Sequence, residues 1–80
     1  ASMSDHIVSA YSEELERLSA EIMKMGGIVE TMIADATRAL AANDLELARE
    51  VVARDPLVDA IESDAERQIV SIIARRQPMG

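Results

Sequence analysis

The stretch Tyr11-Ser-Glu-Glu-Leu-Glu-Arg-Leu-Ser-Ala-Glu-Ile-Met-Lys-Met-Gly-Gly-Ile-Val-Glu-Thr-Met-Ile-Ala-Asp-Ala36 decides the fold. Its apolar positions Tyr11, Leu15, Leu18, Ile22, Met25, Val29, Met32 and Ala36 step by 4, 3, 4, 3, 4, 3 and 4. Side chains three and four positions apart share one face of an α-helix, so this spacing is a helical seam held over more than three heptads. Ile7 extends it at the start and Leu40 at the end. Ser4 is placed to cap the first turn, and Asp5 suits the positive end of the helix dipole. The pattern predicts a helix from about residue 4 to about residue 41, roughly 55 Å long at 1.5 Å per residue. Gly26 and Gly27 interrupt it, each costing up to about 1 kcal/mol relative to Ala. They read as a close-packing point where another backbone approaches, or as a hinge.

Working outward, Asn43 and Asp44 break the pattern. Asn43 followed by Glu46 resembles a capping box, so a second helix is expected from about residue 44. Its apolar positions are Leu47, Val51, Val58, Ile61, Ala65, Ile69 and Ile72. Pro56 lies inside this run, removes one backbone donor and predicts a kink between Val52 and Pro56. In the alternative, Asp55 caps a fresh helix with Pro56 at its first position. The preferred reading is one kinked helix to about residue 76, with Arg75 and Arg76 at the negative end of its dipole and Pro78 stopping it. Glu50 and Arg54 are spaced for a surface ion pair along this helix.

The fold class expected is therefore all-α: a long antiparallel helical hairpin in one segment, residues 1–80. Ala1 and Ser2 precede Met3, so residues 1–3 read as a tag scar and the start. Each helix carries an apolar stripe that wants more than one neighbour. A homodimer, most simply a four-helix bundle made of two hairpins, would supply it.

Composition removes many functions. The 80 residues include one Tyr and no Phe or Trp, so no stacking platform for single-stranded nucleic acid exists. Lys and Arg number 8 against 15 Asp and Glu, for a net charge of −7, which opposes binding to a phosphate backbone. The absence of Cys excludes a disulfide framework, a thiolate zinc site and a Cys nucleophile. No apolar run is long enough to span a membrane, and no signal peptide is visible. The one histidine, His6, lies near the terminus, and the Ser and Thr residues of the helical body have no histidine partner, so a nucleophile–base pair is not expected. Gly26-Gly27 lacks the strand and the Lys-Ser/Thr of a phosphate loop.

The second helix holds the most specific feature. Asp55, Asp59, Glu62 and Glu66 are spaced 4, 3 and 4. At about 100° per residue they fall in an arc of about 60° that borders the apolar stripe. No Lys or Arg lies in that arc, and like charges at this spacing repel. Two readings remain open on the residues alone: a solvated acidic face, or half of a site for a hard cation, which takes oxygen ligands.

An ordered series of segments then resembles the PhoU family, the accessory regulators of phosphate-specific transport. The series runs Tyr11-Ser-Glu-Glu-Leu-Glu-Arg-Leu18, Met25-Gly-Gly-Ile-Val-Glu30, Ala36-Thr-Arg-Ala-Leu40 and Asn43-Asp-Leu-Glu-Leu-Ala48. It continues through Val51-Val-Ala-Arg-Asp-Pro-Leu-Val-Asp-Ala-Ile-Glu62 and closes with Ile73-Ala-Arg-Arg-Gln-Pro78. The resemblance covers about His6 to Pro78. It implies helical bundles of three, of which this chain would hold the first two helices, about a third of a full member.

The resemblance also implies metal binding through acidic helix motifs of the form Glu/Asp-x-x-x-Asp. Asp55-Pro-Leu-Val-Asp59 matches that form, and Glu62 follows on the same face. The expected metal residues are thus Asp55, Asp59 and Glu62, with iron, manganese, magnesium or zinc as the ion and an incomplete site in this chain. The function implied is that of a cytoplasmic, non-enzymatic regulator. It would link the phosphate ABC transporter to a sensor histidine kinase and restrain the phosphate-starvation response. The alternative is a purely structural helical oligomerisation module.

Overall fold

The computed structural model describes residues 3–76. They form two antiparallel helices, α1 (Met3–Ala42) and α2 (Leu45–Arg76). No strand occurs among the described residues. The readings at Ala1, Ser2 and Pro78 lie outside them.

The connection is short because both helix ends are capped within two residues. Asn43 takes φ of 53°, the left-handed conformation that Asn tolerates better than most residues. The Asp44 N–H donates to the Ala39 carbonyl at 2.8 Å and the Asn43 N–H to the Leu40 carbonyl at 3.3 Å. These two bonds satisfy carbonyls that the end of α1 would otherwise leave orphaned. Asp44 then opens α2: its Oδ1 accepts from the Leu47 N–H at 3.0 Å. The cap is therefore Asp44 and not Asn43, because Asn43 is already committed to ending α1. Ser4 is likewise not a cap, since α1 is helical from Met3.

α2 runs through Pro56 without interruption. Asp55 accordingly lies within the helix and caps no fresh one.

Three polar links tie the helices along one edge. Glu14 accepts from both terminal nitrogens of Arg75. Gln68 donates from Nε2 to Glu21 at 2.9 Å and to Asp64 at 2.7 Å. Arg54 donates to Asp35 at 2.6 Å. The residue numbers of the cross-helix pairs Glu14–Arg75, Glu21–Gln68 and Asp35–Arg54 each add to 89, so one antiparallel register holds along the hairpin. Arg54 thus reaches across to α1, and no ion pair with Glu50 forms. Behind this edge lies the packed centre, where Leu18, Ala65 and Ile72 are buried and Tyr11 packs against them.

The buried face of α1 differs from the expected seam. Tyr11, Leu18, Met25, Met32 and Ala39 do face α2, but the second column beside them is Glu14, Glu21, Ile28 and Asp35. Leu15, Ile22 and Val29, expected in the seam, are 39%, 41% and 37% exposed. α1 is turned by about one position, toward the edge where Arg54, Gln68 and Arg75 offer partners to its carboxylates.

Two helices do not close a core. The hairpin measures 60 × 25 × 14 Å, one helix thick. Its radius of gyration is 18.6 Å, against about 12 Å for a compact chain of this length. Only Leu18, Ala39, Ala65 and Ile72 are buried among the described residues, and two of these are Ala.

Leu18→Ala and Ile72→Ala should each lower stability by about 2–3 kcal/mol, at the low end for buried sites because the core is thin. Ile22→Ala should lower it less, and Arg67→Ala by under about 0.5 kcal/mol, since Arg67 is largely exposed. Urea melts followed by circular dichroism test this; equal losses at Leu18 and Ile22 would refute the rotation of α1.

The edge also sets a pH dependence. The hydrogen bond from Arg54, helped by the charges of Arg54 and Arg38, holds the Asp35 carboxyl below the usual carboxylate range. Gln68 foremost, with Arg67, does the same for Asp64. A depressed folded-state pKa contributes stability that is present above the ordinary carboxylate pKa and is lost as pH falls through the lowered value. Acidification below about pH 4 should therefore destabilise the hairpin. Asp35→Asn should flatten that acid limb in melts recorded across pH; an unchanged slope would show that Asp35 does not contribute.

Candidate functional site

The opposite edge of the hairpin is open, and the sequence-predicted residues lie along it. The outward turn of α1 leaves Leu15, Ile22 and Val29 at this edge. On α2 the neighbouring column is Asp55, Glu62 and Ile69, one position beyond the latched column of Arg54, Ile61 and Gln68. A shallow groove here is lined by Val29, Met32, Ala36, Val51, Asp55 and Val58. An apolar strip on α1 thus runs beside an acidic strip on α2. The acidic strip borders the packed face, as its angular position on the helix implies.

Asp55, Asp59, Glu62 and Glu66 are all exposed. Among the described residues no group of three or more His, Asp or Glu is placed to hold a metal ion. Along a single helix, carboxylates at i, i+4 and i+7 are spread over about 10 Å of its length. In the described hairpin Asp55, Asp59 and Glu62 are thus not gathered into a three-ligand group.

Gly26 and Gly27 lie midway along α1. A Cβ built at either would meet nothing within 4 Å. The close approach expected there does not come from α2, and inside this hairpin the glycines face open space.

The carboxylates that hold the two helices' latched edge are Glu14, Glu21, Asp35 and Asp64, which the sequence reading passed over. A signal for them existed. Glu14, Glu21, Ile28 and Asp35 recur every seven residues on α1, as Arg54, Ile61, Gln68 and Arg75 do on α2. Two columns of matching period and opposite polarity mark a latched edge.

No helix among the described residues is long and apolar enough to cross a membrane.

Comparison with known proteins agrees with this architecture. The family model described as the PhoU domain matches residues 22–80. A phosphate-specific transport system accessory protein PhoU homolog of Caulobacter vibrioides is 47% identical over 77 residues, covering 96% of this chain and 34% of the relative. The homolog of Rhizobium meliloti is 49% identical over 78 residues, covering 92% of this chain and 31% of the relative. The PhoU protein of Escherichia coli K12 is 37% identical over 76 residues, covering 95% of this chain and 32% of the relative. No solved structure matches. The chain spans about a third of the length of these relatives. With the domain model covering most of its length and the hairpin formed by the same segments, the chain belongs to the PhoU family.

Proposed function

We propose that this hairpin is part of a non-enzymatic, cytoplasmic regulator of phosphate uptake and phosphate-starvation signalling. In this reading it works between the phosphate ABC transporter and a sensor histidine kinase, and lowers the starvation response when phosphate is plentiful. Membership of the PhoU family supports the reading, because the relatives are named as accessory proteins of phosphate-specific transport. That membership is the observation that carries it, and the open edge supplies a surface for contact. An apolar strip beside an acidic strip is a surface made to receive another helix. Asp55, Asp59 and Glu62 are then half of a cation site, completed by carboxylates from the helix that docks there, with iron, manganese, magnesium or zinc as the ion. Two copies of the chain associate through the same edge.

The second reading is a structural oligomerisation module with no regulatory role, and the uncovered strip alone would serve it equally well. A chimera separates the two. The matching segment of the Escherichia coli relative is replaced by this chain and expressed in a strain lacking its own PhoU protein. In phosphate-rich medium the chimera should return a phosphate-starvation reporter to its repressed level. The same chimera carrying Ile22→Asp and Val29→Asp should not. A reporter that stays high with the unmodified chimera, despite normal expression, rejects the regulatory reading.

The cation half-site has its own test. Calorimetric titration with magnesium, manganese, zinc or ferric ion should give weak heats that fall in the Asp55→Asn, Asp59→Asn double variant. Identical heats for both proteins with every ion would leave only a solvated acidic face.

A further inference from the structure

We infer that the outer face of α1, from Arg17 to Ala41, docks an acidic helix of a protein partner. This rests on the regulatory reading proposed above, and names the contact surface and the chemistry of what it receives.

α1 carries a second seam besides the apolar one. Arg17, Ala20, Lys24, Gly27, Thr31, Ala34, Arg38 and Ala41 step by 3, 4, 3, 4, 3, 4 and 3. That spacing sets them in two adjacent columns on one helix face, a cationic column with one Thr and a column of Ala and Gly. All three basic residues of α1 lie in this seam and none of its seven carboxylates does. Such a segregation of charge stands out in a chain of net charge −7. Every member of the seam is exposed.

The seam is separate from the open edge. At about 100° per residue its centre lies about 170° around α1 from the column of Leu15, Ile22 and Val29, so a helix laid on the open edge leaves it bare. Its inner flank is the latched edge, where Glu14, Glu21 and Asp35 are already held by Arg75, Gln68 and Arg54. Arg38 leans back on Asp35 at 3.3 Å. Among the described residues, Arg17 and Lys24 pair with no carboxylate.

Charge complementarity names the occupant. Cations seven residues apart stand about 10 Å apart along one helix, and carboxylates at the same spacing on a helix lying alongside would meet them. The small column sets how near that helix comes, because interaxial distance follows the side chains at the contact. Gly27 fits this role. A helix interior disfavours Gly, its φ is not positive, and an added Cβ would meet nothing within 4 Å. Nothing inside the hairpin requires Gly there, whereas an approaching backbone does. An anionic membrane is the poorer match. The seam has no large apolar side chain to insert, and the net charge of −7 opposes anionic lipid.

The test uses the chimera described above. Lys24→Glu and Arg49→Glu change its charge equally at exposed sites, but Arg49 lies on α2, off the seam. Gly27→Leu fills the small column without touching the hairpin. The purified chimera is titrated with the cytoplasmic part of the Escherichia coli sensor kinase and, separately, with the ATP-binding subunit of the phosphate transporter. It should bind one of them, more weakly as salt rises. Arg49→Glu should leave the dissociation constant unchanged, and Lys24→Glu and Gly27→Leu should each raise it by about tenfold or more. All four proteins should keep the same helical circular dichroism and melting temperature. If the chimera represses the reporter but binds neither protein, or binds with a constant that neither seam variant moves, the seam is overturned and the regulatory reading stands. Lys24-dependent binding to phosphatidylglycerol vesicles in place of either protein overturns it in favour of a lipid surface. A lower melting temperature for Lys24→Glu overturns it too, because the seam is then packed inside the whole molecule. A chimera that leaves the reporter high rejects the regulatory reading, and this surface with it.

Discussion

The rotation of α1 about its own axis is the constraint on which the rest of this molecule depends. Three side-chain links on one edge set it: Glu14 with Arg75, Glu21 with Gln68, and Asp35 with Arg54. None of them is deeply buried, and exposed pairs contribute little to stability one at a time. Their effect here is geometric. They share one register, so together they select which face of a nearly symmetric helix meets α2.

That selection has a consequence on the far edge. A helix 40 residues long with apolar residues on more than one column cannot bury them all against a single neighbour. Once Glu14, Glu21 and Asp35 are latched, Leu15, Ile22 and Val29 are left at the rim. The same turn sets them beside the acidic row of α2. The open edge, its apolar strip and its carboxylates are therefore one feature, produced by a choice made on the opposite side. The small buried core is the counterpart of that choice. With Ala39 and Ala65 making up half of it, much of the apolar surface waits for a partner.

The interhelical turn shows the same economy of residues. Asn43 ends α1 and Asp44 begins α2, with no residue between the two tasks. Such a connection leaves no slack, and it fixes the antiparallel register from which the latched pairs follow.

The sequence by itself determined the helices, their lengths, the hairpin and the family. These rest on local or periodic signals: the 3–4 spacing, the break at Asn43 and Asp44, and an ordered series of segments. It also placed Asp55, Asp59 and Glu62 on one face at the border of the packed surface, because helical angle follows from residue number alone. The tertiary structure alone decided which of two neighbouring columns on α1 is buried. Tyr11, Leu18, Met25 and Met32 can be flanked by Leu15, Ile22 and Val29 or by Glu14, Glu21 and Ile28, and the periodicity accommodates both. Hydrophobicity favours the first set. The second set faces α2 because Arg54, Gln68 and Arg75 stand opposite and accept its carboxylates as partners. That is a relation between residues up to 61 positions apart, which no pattern within one helix contains. Arg54 pairs with Asp35 instead of Glu50 for the same reason, and Asp44 caps in place of Asn43 because both helix ends compete for the same two residues.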